Sequence, residues 1–410
     1  MSRSSSATIS APRKTSGWSS LGYRTYTCPI ARECGGCEWL AVPYPIQLKR
    51  KRAEMERLFA AFIDKGAELD DIAGMEEPVA YRHKAATPFA PGKGRRVRSG
   101  FYAAGTHRIV ACEKCLVEDA RCRPVLNAVA RAAEELGISA YDEDRGRGSL
   151  RHAVVRTAHT GNEALLTLVT NGAGLRAADE LAAAVRAADP GIVGIIQNIN
   201  QRRTNAILGD ESRVLWGADA MHDTLLGCRF EIGATSFYQT NPAQTEVLYR
   251  LAIEGAALES GIRVLDAYCG CGTIGICAAA ATEGVRVVGV ETVPEAVERA
   301  RANAQANGVG DRCSFVRADA TRWMLGAAKR GERFDVVILD PPRAGSTPEF
   351  LAAAASLSPE RIVYVSCNPV TQARDLELLG AHSYRLVRLS PVDMFPHTKH
   401  VETVVLMTKK

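Results

Sequence analysis

The sequence predicts an α/β protein: a doubly wound, mostly parallel sheet of seven strands ending in an antiparallel hairpin, preceded by an α+β region. Three observations predict it. From residue 262 onward, short apolar runs alternate with glycine-rich or polar turns and helical stretches, the pattern of βα units. The last two apolar runs, 384–389 and 402–407, lie close enough in sequence to pair as a hairpin. Upstream, segments 151–157 and 164–170 alternate like strands of a mixed sheet between two alanine-rich helices at 123–136 and 174–188.

Length and composition set the frame. A chain of 410 residues with 46% hydrophobic and 24% charged residues has an ordinary globular composition and room for two or three domains. No apolar run approaches the roughly 18 residues of a membrane helix, so no membrane association is expected. Residues 1–20 are rich in serine, carry basic residues and no acid, and lack the apolar centre of a secretory signal. They read as a basic disordered tail, and the protein is expected in the cytoplasm. There, twelve cysteines do not make a disulfide framework, and metal binding or catalysis is favoured. No obligate protein partner is signalled. Net charge is +5 but uneven, with +8 over residues 1–110 and −3 over the rest. Clusters at Lys49–Arg52 and at Lys93, Arg95, Arg96 and Arg98 form the footprint of a polyanion, nucleic acid first.

Taken in order, the chain first shows Cys28, Cys34 and Cys37, a Cys-x5-Cys-x2-Cys spacing with Gly35 and Gly36 able to wrap backbone round a metal. Cys115 is the leading fourth ligand and Cys112 the second, and four cysteines fit an iron–sulfur cluster or a structural zinc. Cys122, Cys228, Cys277 and Cys313 sit singly in apolar or helical contexts and read as core. Residues 45–64 look helical, with Leu48, Met55, Leu58 and Phe59 on one side and the basic run on the other. Segment 81–110 reads as strands joined by a Gly/Arg-rich hairpin. Its interleaved aromatics and cations (Tyr81, Arg82, Lys84, Phe101, Tyr102) suit unstacked RNA bases. Asn198–Arg203 is a polar loop that could touch phosphate. Asn241 before Pro242 is a helix start signal.

Within the βα repeat, residues 263–275 are a strand entering a Gly-x-Gly-x-x-Gly turn (Gly270, Gly272, Gly275), which lets a ligand approach backbone and helix N-terminus closely. The next strand ends in Glu291, placed to accept ribose hydroxyls. The fourth runs into Asp340-Pro-Pro-Arg343. The fifth, 362–365, ends in Ser366-Cys-Asn-Pro369. At that edge of an open parallel sheet ligands bind, so Cys367 is aimed at a cleft; packing as a small buried apolar residue is the competing reading.

Asp340-Pro-Pro-Arg343, Ser366-Cys-Asn-Pro369 and the run from Asp393 to Glu402, in that order after a glycine-rich turn, resemble the RNA uracil-5-methyltransferase family. The cysteine spacing and Phe237-Tyr-Gln239-Thr-Asn241 match it too, so the resemblance extends from Cys28 to Glu402. It implies an S-adenosylmethionine-dependent methyltransferase domain at 236–410, preceded at 23–235 by an RNA-binding domain holding a 4Fe-4S cluster on Cys28, Cys34, Cys37 and Cys115. It implies Cys367 as nucleophile and Glu402 as base, with Gln239, Tyr268, Glu291 and Asp340 holding S-adenosylmethionine. Asp340 is shared with the uracil edge, Asp319 is a candidate for the adenine, Phe237 for stacking on the extruded base, and Arg343 for offsetting negative charge or touching phosphate. Ribosomal RNA is the expected partner ahead of transfer RNA, because only 27 residues precede Cys28, too few for the RNA-binding barrel of some relatives. That arrangement and the Asp393–Thr398 run resemble the shorter 23S ribosomal RNA enzymes. The cluster is expected to be structural, and its ligands stand far from Cys367 in sequence. His397 and His400 are expected in loop packing or phosphate contact rather than in a metal pair.

The chemistry explains the residue types. C5 of uracil is a weak nucleophile until a thiolate adds at C6 and makes the ring an enolate. A base must then remove the C5 proton, and a cation or donor must steady the enolate oxygen.

Overall fold

Two large sheets organise residues 23–410, the part of the chain that the computed structural model describes. The tail expected over 1–22 lies outside the described residues. A two-residue strand β1 (Glu68–Leu69) comes first. It is followed by β2 (Lys84–Pro91), β3 (Val97–Tyr102), β4 (Ile109–Ala111), β5 (Leu150–Thr157), β6 (Ala164–Thr170), β7 (Ile192–Ile199) and β8 (Glu211–Gly217). The last seven form one sheet in the order β4-β3-β2-β5-β6-β7-β8, antiparallel except for β6 beside β7. Helices Cys122–Glu135 and Ala178–Ala188 bury an apolar face on it, through Leu126, Val129, Leu181 and Val185. Both strands of the expected hairpin are present, turning at Gly92–Arg96.

After a hairpin of β9 (Ala220–Leu225) and β10 (Cys228–Gly233), the helix Pro242–Ala256 starts as its sequence indicates. The Asn241 side chain accepts from the Gln244 amide at 3.2 Å, satisfying a free N–H of the first turn. Then come β11 (Arg263–Ala267), β12 (Arg286–Glu291), β13 (Cys313–Arg317), β14 (Val336–Leu339), β15 (Arg361–Ser366), β16 (Tyr384–Val392) and β17 (Glu402–Lys409). Their order is β16-β17-β15-β14-β11-β12-β13, parallel from β13 to β15, with β17 antiparallel to both neighbours. This is a large mixed sheet, parallel at its centre and closed by the antiparallel hairpin that the sequence predicts.

That sheet has eight strands, not the seven expected. Backbone at Glu68 and Leu69 pairs in parallel with Arg388 and Leu389 of β16, and Asp70 accepts from the Arg388 guanidinium at 2.7 Å. The pairing covers what would be an open edge. A two-residue strand has no hydrophobic period, so no pattern in the sequence announces it. The same early segment supplies core: Tyr44, Leu48, Met55, Phe59 and Ile72 pack with β14, β15 and the helices beside them. The expected helix is Tyr44–Leu58 with a short turn at Ala60–Ile63. One residue of its basic run departs from the expectation. Lys51 is fully buried, because Asp393 lies opposite it and their 2.5 Å ion pair satisfies both charges. Cys122, Cys228, Cys277 and Cys313 are core, as expected.

Candidate active site

The strand order reverses between β11 and β14, and the crevice beyond their carboxyl ends is where an open α/β sheet receives ligands. Tyr268 follows β11, Glu291 ends β12, Asp340 follows β14 and Cys367 follows β15. A cavity of about 850 Å³ opens there, lined by these four residues together with Gln239 and Glu402. The six residues singled out in the sequence for catalysis and donor binding therefore converge on one space.

The decisive juxtaposition is set by strand register. β15 and β17 run antiparallel with Ser366 opposite Thr403. Cys367 and Glu402 are the next residues beyond that last pair, and both line the cavity, near enough for the Glu402 charge to act on the thiol. Asn368 then caps the helix Pro369–Ala381 by accepting from the Val370 amide, so Cys367 sits at the edge of a helix N-terminus. Glu402 is 3% exposed. Burial, then the charge of Asp340, pushes its carboxyl up to about 8. Burial alone pushes Asp340 up to about 7. The Cys367 thiol is also raised, by burial first and then by Glu402 and Asp340, while Arg343 pulls it down. A carboxyl poised near neutrality suits a general base, and a half-exposed thiol beside it suits a nucleophile.

The wall formed by the glycine turn is equally specific. Tyr268 takes a left-handed backbone (φ 66°) and stacks on Phe350 with ring centroids 4.8 Å apart. Gly270 and Gly272 also have positive φ, and the Gly270 amide donates to Glu291 at 3.2 Å. A Cβ at Gly275 would stand 2.8 Å from Val287 and 2.9 Å from an Asp266 oxygen, so only glycine lets this helix pack on β11 and β12. Asp266, which the motif reading passed over, accepts from the Gly275 amide at 3.0 Å and anchors the turn. An acid inside an apolar strand was its available signal.

The match to the family described as tRNA (Uracil-5-)-methyltransferase covers residues 224–410. An uncharacterised RNA methyltransferase of Halalkalibacterium halodurans is 40% identical over 385 residues, 93% of this chain and 83% of the relative. This chain belongs to the RNA uracil-5-methyltransferase family. An uncharacterised RNA methyltransferase of Clostridium tetani is 40% identical over 381 residues, covering 93% of this chain and 82% of its own length. The solved tRNA (uracil-54, C5)-methyltransferase of Pyrococcus abyssi, in complex with S-adenosyl-L-homocysteine, aligns with a TM-score of 0.74 at 27% identity. The alignment covers 91% of this chain and 86% of that one. The protein is an S-adenosylmethionine-dependent RNA methyltransferase.

The remaining residues of the enzyme fall into place unevenly. Phe237 is 68% exposed and lies on the cavity wall. Arg343 is exposed at the rim. Asp319 does not line the cavity; its carboxylate caps the helix Ala320–Lys329 by accepting from the Arg322 amide at 2.9 Å. His397 is buried, with Nε2 2.8 Å from the Pro78 carbonyl and Nδ1 3.1 Å from the Gln47 amide nitrogen. This is loop packing, with the tautomer assigned from those partners. No helix among the described residues is long and apolar enough to cross a membrane.

Cys28, Cys34, Cys37, Cys112 and Cys115 face one small cleft. Among the described residues, no three donor side chains are drawn together tightly enough to hold a metal ion as they stand. The loop carrying them is not remote from the chemistry. Gly35, Gly36 and Glu38 line the same cavity as Cys367, and the Trp39 amide donates to the His397 carbonyl at 2.9 Å. Sequence separation gave no sign of this contact, because the chain closes about 360 residues of contour to make it.

Proposed function

We propose that this enzyme methylates C5 of a uridine in ribosomal RNA, with Cys367 as nucleophile and Glu402 as base. The observation that carries the roles is the β15–β17 register, which ends just before a thiol and a buried carboxyl 35 residues apart in sequence and leaves both on the wall of one cavity. The Cys367 thiolate adds to C6, and the ring electrons move to the carbonyl oxygen. S-adenosylmethionine supplies the methyl that C5 takes. Glu402 removes the C5 proton, the double bond reforms and the thiolate leaves. Gln239, Tyr268, Glu291 and Asp340 hold the donor, Asp340 also facing the uracil edge. Phe237, exposed at the mouth, stacks on the extruded base. The division proposed for the chain follows: 236–410 for chemistry, and 23–235 for RNA and the metal cluster.

Ribosomal RNA is favoured by the Asp393–Thr398 run, which resembles that of the shorter 23S enzymes. Transfer RNA is the second reading, favoured by the substrate of the Pyrococcus abyssi neighbour. Sequencing RNA from a strain lacking the gene decides between them: the lost 5-methyluridine should map to 23S RNA, and a loss confined to transfer RNA would overturn the assignment.

We propose a 4Fe-4S cluster on Cys28, Cys34, Cys37 and Cys115, supported by the one small cleft that these cysteines line. A Cβ at Gly36 would stand 3.3 Å from the Cys34 sulfur, so the glycine leaves backbone room round the thiols. Burial first, then Cys115 and Cys34, push the Cys37 thiol up to about 12, a clustering of like groups that a cation relieves. Cys112 instead donates to the Lys114 carbonyl at 3.3 Å, which favours Cys115 as the fourth ligand. The cluster would tie the early loop to the segment around Cys115.

A further inference from the structure

One role in the chemistry has no owner among the residues named so far: the group that receives negative charge at the uracil carbonyl when Cys367 adds to C6. We propose that the Lys84 ammonium does this, as a hydrogen-bond donor to the enolate oxygen; the assignment rests on the uracil-5-methylation reading above.

Lys84 is the first residue of β2 and lines the catalytic cavity. In the β2–β5 ladder it stands directly opposite Arg156. Like charges at that position destabilise a sheet, and here no carboxylate among the described residues pairs with either cation. Arg156 is buried and donates to the Ser236 carbonyl, next to Phe237. Burial and the Arg156 charge together lower the Lys84 ammonium to about 7, so it sits in its wall at a cost that an arriving anion would remove. A fold that holds two facing cations without an acid beside a ligand cavity is built to be completed by negative charge.

Position favours the ring oxygen over a phosphate. The His83 amide donates to the Thr240 carbonyl at 2.8 Å, so the lysine's strand is clamped to the segment Phe237–Thr240 that forms the stacking wall. A base lying on Phe237 turns its face to that ring and its edges to the rest of the cavity, which Lys84 also lines. Arg343, exposed at the rim, is better placed for backbone phosphate. In the step itself the Cys367 sulfur bonds to C6 and the C5–C6 π pair becomes the enolate. Lys84 donates a hydrogen bond without losing its proton. The electron pair returns through C5 as the methyl is taken, and the carbonyl is restored.

The test compares wild type with Lys84→Met and Lys84→Arg. Three quantities are read: the single-turnover methylation rate, the rate of covalent adduct formation on RNA containing 5-fluorouridine, and RNA affinity across a salt series. Lys84→Met should slow both rates about 100-fold, the scale of losing one oxyanion donor. RNA affinity and its salt slope should stay as in wild type, and Lys84→Arg should restore part of the rate. Unchanged S-adenosylhomocysteine affinity reports an intact fold; should Lys84→Met lose it, Lys84→Gln takes its place. Wild-type rates in Lys84→Met would overturn the assignment. So would weaker RNA binding with a salt slope reduced by about one and an unchanged saturating rate, the mark of a phosphate contact. Wild-type protein that forms no adduct on the same RNA would instead sink the parent reading, and this one with it.

Discussion

Replacing Glu402 by glutamine tests the base directly and keeps its shape. The side chain is almost fully buried, and burial raises its carboxyl to about 8, so in the free enzyme it is held mostly protonated at neutral pH. An amide cannot accept the C5 proton. Loss of a positioned general base costs about 10²–10⁴ in rate, or about 3–5 kcal/mol of barrier. Addition of Cys367 and methyl transfer precede the lost step, so methylated RNA should remain bonded to the protein. It would appear as a stoichiometric shifted band on a denaturing gel, with labelled methyl in it. The same substitution should raise thermal stability, with a definite pH dependence. The folded carboxyl binds its proton far more tightly than the unfolded one, so wild-type stability is lost as pH rises from about 4.5 through about 8. The melting temperature of Glu402→Gln should match wild type near pH 4.5 and exceed it by pH 8. Turnover within about threefold of wild type with no adduct would refute the base assignment; a variant less stable at pH 8 would refute the electrostatic argument.

Cys367→Ala should abolish methyl transfer from labelled donor while leaving S-adenosylhomocysteine affinity intact, measured by calorimetry. Wild-type kcat/KM should pass through a maximum with pH, because the Glu402 carboxyl and the raised Cys367 thiol must lose protons while Lys84 must keep its own; a flat profile from pH 6 to 9 would contradict it. Lys51→Met should destabilise the fold by about 3–5 kcal/mol in denaturant titrations, since it strands the buried Asp393 carboxylate. Anaerobically purified protein should be brown, with iron and sulfide near four each per chain, and Cys37→Ser should lose both; colourless protein with stoichiometric zinc would replace the cluster with a zinc site.

Much of the fold was legible because it is local. The βα repeat, the glycine turn and the Asn241 start signal each depend on residues within one turn or strand of each other, and each formed where the pattern placed it. Most of the motif residues were legible for the same reason: Tyr268, Glu291, Asp340 and Cys367 sit at strand ends, where a period breaks into polar turn chemistry. Lys51 shows the limit. It belongs to a basic run, and nothing nearby distinguishes it from Lys49, which is exposed. Its partner Asp393 lies 342 residues away. Asp319 shows the converse, an acid at a strand end that caps its own helix rather than facing the cavity.

By itself, then, the amino-acid order determined the succession of elements and the residue types available for thiolate addition and proton removal. Only the tertiary structure decided which of them meet. Strand register set Cys367 against Glu402, the reversal of strand order opened the crevice, and the cysteine loop came to wall the same cavity. Local sequence specifies a backbone's period and its turns. Pairing between distant strands depends on how whole faces of apolar surface are buried together, and that is a property of the folded chain.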